Sequence, residues 1–411
     1  MRDFDFKDKN VLVRCDFNSP LDKQGVPIEF MRIRVYRPTF AALKDARRIV
    51  AISHQGRKGN KDCVSLANHA KILDQALDTH KVIFCGDTTT QKAMEAIKNV
   101  NRGEVLILEN TRFLEEDNVN IKEGEALKSR IVDTLSPHFD IFINDAFSVS
   151  HRKQPSVAGF PMVLPSCAGM VVEREMEAMN RARRTGRRPA IYVVGGMKLK
   201  EVVALMENSL YQNTIDKFLL GGSVAFAFLY VRDLAPKETL IVIEESGDVL
   251  EGLLNRIREL DVVFRDRIEL PVDVAISYGG REEVAVTDPL LRKYPVMDLG
   301  EKTIRIYTEE IMRARAVFSK GPMGYYENPT FMKGTVRILI AMERSNAFSL
   351  IGGGHMGNVA FDLGIATDHT STAGGAVLGW MSGKPLEGIE SLKNNLEEFT
   401  DEKVGKLLKK E

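Results

Sequence analysis

Residues 347–376 read AFSLIGGGHMGNVAFDLGIATDHTSTAGGA and contain two glycine-rich turns. In the first turn, the apolar strand-like run 348–351 meets Gly352, Gly353 and Gly354, after which His355 can begin a helix. A turn of this kind aims free backbone N–H groups and the positive end of a helix dipole at one point, which suits a phosphate. The second turn, STAGGA at 371–376, repeats the pattern about one strand–helix unit later.

One glycine turn is usually an ordinary loop, but two such turns this close together favour a phosphate site, because glycine lets the backbone approach an oxyanion without a Cβ in the way. Neither turn fits the G-x-G-x-x-G or the G-x-x-x-x-G-K-[ST] pattern. The pattern alone therefore leaves the ligand open. A dinucleotide dehydrogenase is disfavoured, because the first strand–helix turn, CDFNSP at 15–20, lacks the glycine fingerprint.

The length and composition of the chain restrict the classes of protein to which it can belong. The chain has 411 residues, enough for two domains, with 44% apolar and 28% charged residues. Lys+Arg and Asp+Glu are both 57, a balance that argues against a general nucleic-acid-binding protein. The four cysteines, without a CxxC pair, predict reduced thiols in a cytoplasmic protein. We expect no signal peptide and no membrane helix.

Apolar strand-like runs alternate with helical segments through the first half of the chain, which indicates an α/β fold with a parallel sheet. The expected strands lie at 11–18, 49–53, 82–85, 105–108 and 141–143, and the expected helices at 41–48, 66–77 and 90–100. Pro161 and Pro165 are expected to end this sheet.

Polar and basic groups follow four of these strands, at the ends that converge in a parallel sheet. They are Asp16, Asn18, His54, Arg57, Arg112, His151 and Arg152, with Arg32 shortly after the first strand. Arginine matches the geometry of both phosphate and carboxylate. The cluster therefore predicts a site for one small anion, such as a phosphorylated carboxylate, whereas Arg34 and Arg37 are better explained as solvated.

A second α/β series is expected after a helix at 170–184. Its strands at 191–194 and 217–220 run into Gly195-Gly196-Met197-Lys198 and Gly221-Gly222, and Lys198 is well placed to reach a phosphate. Further strand–helix units are expected, including 270–273 and the strand 316–318 before GPMGYYE at 321–327. The segment 386–411 is charged and of helical type.

Motifs along nearly the whole chain resemble those of the phosphoglycerate kinase family. They are VLVRCDFNSP, SHQGR, ENTRF, NDAF, SHR, QPS, GGMK, LPVD, GPMGYYE, IGGGH and STAGGA, in the family's order and spacing. GGGH and SHRKQPS are similar to the archaeal branch. The resemblance implies two doubly wound, Rossmann-like domains facing across a cleft, and reversible phosphoryl transfer between 1,3-bisphosphoglycerate and ADP in glycolysis and gluconeogenesis.

The resemblance also implies a domain plan. Residues 1–165 with the tail 386–411 would bind 3-phosphoglycerate, 166–190 would form the interdomain helix and linker, and 191–385 would bind ATP or ADP with Mg²⁺. No protein metal ligand is implied. A non-catalytic relative that binds nucleotide or phosphoglycerate as an interaction module is the alternative, and retention of Lys198 and Arg32 disfavours it. Monomer and homodimer both remain open.

Residue roles carry over by motif. The catalytic set would be Arg32, Lys198, Gly374 and Gly375. The glycerate would be held by Asp16, Asn18, Arg32, His54, Arg57, Arg112, His151 and Arg152. The nucleotide would be lined by Gly196, Lys198, Gly221, Gly222, Pro322, Glu327, Gly352, Gly353, Gly354 and His355. Met197, Lys200, Glu201, Lys320 and Ala373 depart from the family's usual pattern.

Overall fold

A computed structural model describes residues 1–121, 129–183, 187–243 and 245–398 of the chain, which divides into two compact units. Unit 1 comprises Met1–Met176 together with Pro385–Glu411, and unit 2 comprises Glu177–Lys384. Each unit is built around its own parallel sheet.

Within its described residues, unit 1 contains a six-stranded parallel sheet in the order β3-β4-β2-β1-β5-β6. The strands are β1 (Asn10–Arg14), β2 (Arg48–Ile52), β3 (Lys81–Phe84), β4 (Glu104–Ile107), β5 (Ile141–Asn144) and β6 (Ser166–Ala168). The helices are α1 (Met31–Arg34), α2 (Arg37–Ala42), α3 (Ala67–Ala76), α4 (Gln91–Lys98), α5 (Arg130–Leu135) and α6 (Met170–Arg183), whose residues from Glu177 onwards belong to unit 2. The chain starts at the central β1, builds towards one edge, and returns to the other side of β1. This winding defines a topological switch point.

Both faces of this sheet are buried, which explains why its strands are apolar runs. Successive side chains of a strand point to opposite faces. Accordingly, Val11 and Val13 of β1 belong to one buried cluster, and Leu12 belongs to another. Strands covered on both faces are typical of a parallel sheet with helices on each side.

Unit 2 repeats the architecture, with a six-stranded parallel sheet in the order β15-β14-β13-β7-β8-β9 among the residues that the structure describes. Its strands are β7 (Ala190–Val194), β8 (Lys217–Leu220), β9 (Ile268–Glu269), β13 (Ala316–Lys320), β14 (Phe348–Gly352) and β15 (His369–Ser371). Its helices are α7 (Leu199–Tyr211), α8 (Gly222–Val231), α9 (Gly247–Phe264), α10 (Glu301–Arg313), α11 (Lys333–Arg344), α12 (Gly354–Asp362) and α13 (Gly374–Met381). The prediction of two doubly wound parallel-sheet α/β domains is confirmed.

A separate antiparallel sheet lies between β9 and α10 in the sequence. It pairs β10 (Asp273–Ser277) with β11 (Arg281–Ala285) on one side and with β12 (Val296–Leu299) on the other. The expectation of a further strand–helix unit around 270–273 is therefore wrong. Three residues, Tyr278, Gly279 and Gly280, join β10 to β11, and a glycine-containing loop of this length favours a hairpin instead.

The last described helix, α14 (Glu387–Glu398), belongs to unit 1. Its Asn395 accepts a hydrogen bond from the Ser166 N–H at 2.9 Å and donates to the Leu164 carbonyl at 2.8 Å. The Gly388 N–H donates to the Ser150 carbonyl at 2.8 Å. These bonds attach α14 to β6 and to the loop after β5. The remainder of the tail, 399–411, lies outside the described residues.

Two local predictions in unit 1 are wrong. The helix expected at 41–48 is α2, which begins at Arg37 and ends at Ala42. Pro38 lies in its first turn, where the missing N–H of proline costs no helical hydrogen bond. The sheet also continues beyond Pro165, because β6 pairs with β5 through Ser166, Cys167 and Ala168.

Candidate active site

The loops after β1 and β2 place Asp16 beside His54. The two strands pair in parallel, and the Phe17 N–H donates to the Ser53 hydroxyl at 2.8 Å just beyond their ends. Oδ1 of Asp16 lies 3.5 Å from Nδ1 of His54, and both side chains are more than nine-tenths buried. The first and second strand-end loops therefore converge, as the parallel topology requires.

The two side chains differ in charge at neutral pH. Burial lowers the pKa of His54 to about 3, against the opposing effect of Asp16, so the imidazole is neutral. Burial alone would raise the pKa of Asp16, but a charge on His54, the Ser148 hydroxyl and the Asn18 N–H would together outweigh burial and lower that pKa. Because His54 is neutral, the hydrogen bonds and the guanidinium of Arg14 keep Asp16 ionised at neutral pH.

Arg14, the last residue of β1, is a fully buried member of this site that the sequence analysis missed. Its Nε donates to the Ser156 hydroxyl at 3.1 Å, its guanidinium donates to the Cys15 carbonyl, and another nitrogen lies 3.4 Å from Nδ1 of His54. Ser156 in turn donates to the fully buried carboxylate of Asp117 at 2.9 Å. A charged residue inside an apolar strand was the available signal, since arginine is almost never buried without partners.

Arg112 and Arg152, which follow β4 and β5, lie close to the same groups. Burial lowers the pKa of Arg112, and the positive charges of Arg152 and Arg14 lower it further. Burial also lowers the pKa of Arg152, against the effect of Asp16, with Arg57 adding to the decrease. These guanidinium groups therefore repel one another, and a bound anion would relieve the repulsion.

Arg112 is held by hydrogen bonds to Asn110, Asp117 and Asn118. Its backbone N–H donates to Oδ1 of Asn110 at 3.0 Å, and its guanidinium donates to the Asp117 carbonyl at 3.4 Å. Its Nε is buried and has no hydrogen-bond partner among the described residues. Since a buried donor without an acceptor is unfavourable, this N–H group is a natural contact for a ligand oxygen.

Arg32 and Asn18, two further predicted residues, are joined by a hydrogen bond. The guanidinium of Arg32 donates to Oε2 of Glu29 at 2.9 Å and to the Asn18 carbonyl at 3.1 Å. Asn18 Oδ1 accepts a hydrogen bond from the Gly56 N–H at 2.8 Å, which ties the first strand-end loop to the second. His151, the remaining predicted residue, is exposed, and its Nε2 lies 3.3 Å from Nε of Arg152.

In unit 2, three strand-end turns approach one another so closely that only glycine fits. The Gly196 N–H donates to the Pro322 carbonyl at 2.9 Å, and the Gly222 N–H donates to the Met323 carbonyl at 3.0 Å. Gly196 and Gly222 have φ values of 83° and 56°. A Cβ at Gly222 would lie 2.6 Å from the Gly196 nitrogen, and one at Gly221 would lie 2.6 Å from the Met323 sulfur. These glycines thus allow the turns after β7, β8 and β13 to pack together.

The two turns of residues 347–376 also meet. Gly353, with φ 109°, donates its N–H to the Ser371 carbonyl at 2.9 Å, and a Cβ at Gly374 would lie 3.5 Å from the Gly353 Cα. Gly374 and Gly375 begin α13, and Gly354 begins α12, so their N–H groups have no acceptor within the helix. Ala373 has φ −88°, which is an ordinary value for alanine.

Lys198 precedes α7 and is largely exposed, with Nζ 3.5 Å from Oε1 of Glu201. His355 lies in the first turn of α12, its ring centre 5.9 Å from that of Tyr326. Glu327 is exposed in the segment between β13 and α11. Each residue predicted for the nucleotide therefore lies in unit 2, and all but Glu327 lie within a few residues of a strand end or a helix start.

Among the described residues, no group of three or more His, Cys, Asp or Glu side chains is placed to hold a metal ion. Among the same residues, no helix is long and apolar enough to cross a membrane.

An α/β protein with a cluster of arginines at one sheet edge and glycine turns with a lysine at another has the features of a nucleotide-dependent phosphotransferase. The family model of phosphoglycerate kinase matches residues 1–384.

Individual phosphoglycerate kinases are also similar to this chain over nearly its whole length. The chain is 35% identical to phosphoglycerate kinase of Methanothermus fervidus, over 96% of each chain, and 37% identical to that of Saccharolobus solfataricus, over 95% of this chain and 96% of that one. It is similar to the crystal structure of phosphoglycerate kinase from Pyrococcus horikoshii OT3, with a TM-score of 0.87, 36% identity, and coverage of 96% of this chain and 98% of the other. The enzyme structure from Coxiella burnetii gives a TM-score of 0.79 at 26% identity, with the same coverage.

The chain therefore belongs to the phosphoglycerate kinase family. The similarity of the chain to archaeal members confirms the archaeal-type resemblance, and a glycolytic phosphotransferase with a carboxyl group as acceptor is favoured over a non-catalytic relative. The substrates of the family are 3-phosphoglycerate and ATP or ADP, and the nucleotide is used with Mg²⁺.

Proposed function

We propose that the arginine cluster of unit 1 is the 3-phosphoglycerate site of an active phosphoglycerate kinase. The observation that carries this proposal is the mutual proximity of Arg14, Arg112 and Arg152, with a buried, unpaired Nε on Arg112. Arginine forks suit both ends of 3-phosphoglycerate, since one end is a phosphate and the other a carboxylate.

Specific contacts follow from the chemistry of each side chain. Arg57, Arg112, Arg152 and His151 would hold the anionic groups, while neutral His54 and ionised Asp16 would bind a hydroxyl group. Asn18 and Gly56 are already joined by a 2.8 Å hydrogen bond, so the two loops that carry these residues are held in a fixed register. Arg14 is too deeply buried to serve as a surface group, and it would position His54 from behind the substrate.

The nucleotide would bind to unit 2. Gly196, Gly221, Gly222, Pro322, Gly352 and Gly353 would form its backbone lining, and Lys198, Glu327, Gly354 and His355 would contact it from the turns. Because the N–H groups of Gly196 and Gly222 are engaged with carbonyls, we infer that these two glycines allow close approach and that they are not phosphate donors. Phosphate donors would come from Lys198 and from the first N–H groups of α12 and α13.

Mg²⁺ would be bound together with the nucleotide. Ammonium and backbone N–H groups, which dominate this site, bind phosphate oxygens and not metal ions, so the residues fit a nucleotide complex in which phosphates hold the metal. When bound, Mg²⁺ neutralises phosphate charge.

Catalysis would rest on positioning and charge stabilisation. No general base is needed, because the acceptor oxygen belongs to a carboxylate of 3-phosphoglycerate or, in reverse, to ADP, and both are already ionised. Arg32, Lys198 and the N–H groups of Gly374 and Gly375 would stabilise the charge of the phosphoryl group during transfer.

We also propose that the protein works in the cytoplasm as a monomer or homodimer. Four free cysteines, three of them buried, fit a reducing compartment.

An assay of ADP formation from ATP, 3-phosphoglycerate and Mg²⁺ tests the function. We expect turnover that depends on all three components and is lost in Lys198→Ala. A folded protein that binds nucleotide and phosphoglycerate without turnover would instead support the non-catalytic alternative.

A further inference from the structure

Three charged side chains in unit 2 form what we call the Lys–Glu–Lys bridge: Lys198, Glu201 and Lys320. Nζ of Lys320 donates to Oε2 of Glu201 at 2.9 Å, whereas Nζ of Lys198 lies 3.5 Å from Oε1. One carboxylate is thus shared between two ammonium groups, and its shorter contact is with Lys320.

The two lysines differ in their surroundings. The side chain of Lys320 is 17% exposed and that of Lys198 is 62% exposed. Lys320 ends β13, where its carbonyl accepts the Gly195 N–H at 2.9 Å, so it lies directly beside the glycine turns. Lys198 extends from the N-terminal end of α7 into solvent. The side chain of Lys320 is therefore more closely surrounded by protein than that of Lys198.

Burial gives Lys320 a strong requirement for the carboxylate. Burial lowers the pKa of the Lys320 ammonium group, and the positive charge of Lys198 lowers it further. The carboxylate of Glu201 opposes this decrease. A buried ammonium without a counter-ion is unfavourable, so the Lys320–Glu201 contact is the one that persists. Without Lys320, Glu201 would pair with Lys198 alone, since residues three apart on a helix are neighbours.

We propose that Lys320 is a positioning residue for phosphoryl transfer, because it engages Glu201 and thereby leaves Lys198 available to a phosphate oxygen. The inference rests on the proposed nucleotide role of Lys198. On binding, a phosphate oxygen replaces Oε1 of Glu201 as the partner of Lys198, and the Lys320–Glu201 hydrogen bond remains in place.

The test is a rescue experiment. In Lys320→Met, Glu201 captures Lys198, and we expect both kcat and the affinity for Mg·ATP to fall about tenfold, less than the ~10²-fold effect of deleting a charge stabiliser. Adding Glu201→Gln removes the competing carboxylate, so the double variant should recover to within about threefold of the unchanged protein. Mg·ATP affinity is measured by calorimetry and kcat by ADP formation.

Lys200→Met is the matched control, because it also replaces a lysine by methionine, at an exposed position in α7, the helix that carries Glu201. We expect it to change both quantities less than twofold. Thermal unfolding of each variant separates folding from function: a purely structural Lys320 would give a lower melting temperature in Lys320→Met and no functional recovery in the double variant.

The proposal would be overturned if kcat and Mg·ATP affinity were unchanged in Lys320→Met. It would also be overturned if the double variant recovered neither quantity. These outcomes differ from failure of the proposed function, in which the unchanged protein neither turns over nor responds to Lys198→Ala. Because calorimetry measures Mg·ATP affinity in the absence of turnover, the Lys–Glu–Lys bridge is tested whether or not the protein is active.

Discussion

Replacement of Gly222 by alanine should damage unit 2 in two separable ways. Gly222 has φ 56°, and a left-handed conformation costs an L-residue roughly 1–2 kcal/mol. The added Cβ would also lie 2.6 Å from the Gly196 nitrogen and 3.1 Å from the Pro322 carbonyl oxygen. Both neighbours are backbone atoms that cannot rotate away, and overpacking of this kind costs roughly 1–3 kcal/mol. The expected total is about 2–5 kcal/mol of unfolding free energy.

Gly247 provides a control for the first effect. It also begins a helix, its φ is 55°, and a Cβ there meets nothing within 4 Å. Gly247→Ala should therefore lose only the conformational part, about 1–2 kcal/mol. The difference between the two variants, about 1–3 kcal/mol, measures how tightly the glycine turns pack.

Urea unfolding followed by tryptophan fluorescence measures this difference in the relevant unit. Trp380 is the only tryptophan in the sequence, and it lies in α13 of unit 2, with the guanidinium of Arg183 5.5 Å from its ring centre. Calorimetry should show weaker Mg·ATP binding for Gly222→Ala and normal binding for Gly247→Ala. Equal losses of stability in the two variants would refute the packing argument, and equal nucleotide affinities would refute its link to the site.

Other substitutions test the assigned roles. Lys198→Ala should lower kcat ~10²-fold or more, whereas Arg112→Ala should mainly raise KM for 3-phosphoglycerate, and equal kcat losses would contradict this division. Ala373→Gly should change kcat less than about tenfold, because its φ of −88° is unstrained, and Gly374→Ala should cost clearly more. The His54 pKa of about 3 lies below its usual 6.5. Between these two values the unfolded state binds a proton at His54 and the native state does not, so the native state loses stability as the pH falls from 6.5 towards 3. Urea midpoints at pH 7 and pH 5 should therefore differ less in His54→Gln.

The main strands could be predicted from the sequence because both faces of each sheet are covered. Runs such as 11–13 and 191–194 are apolar without interruption, as strands of a buried parallel sheet are. The glycine turns at 195–196 and 352–354 mark where such runs end. Local patterns of apolar residues and glycines were therefore enough to predict the fold class.

Features that depend on distant pairing could not be predicted in this way. β6 has only three residues, Ser166–Ala168, and is a strand because β5 lies beside it. β11 reads REEVA, and both of its glutamates are exposed, so the sequence does not show the apolar run of a buried strand. Its position comes from the register with β10, which joins Asp273 to Ala285.

The same limit applies to the substrate site, where residue type could be predicted but not the partners of each residue. Arg37, which was expected to be solvated, is exposed, but its pairing with Asp78 could not be predicted, and neither could the contact between the buried Arg112 and the Asp117 carbonyl.

The distinction has a physical basis in hydrogen bonding. An exposed guanidinium exchanges water for a carboxylate at little net gain, so its presence reveals nothing about a ligand. A buried guanidinium must find an acceptor for each N–H group, and Arg112 has none for Nε among the described residues. That unmet requirement, beside Arg14 and Arg152, can be satisfied by an anion and by no further basic group. The incomplete hydrogen bonding of Arg112 is thus stronger support for a substrate site than the number of arginines around it.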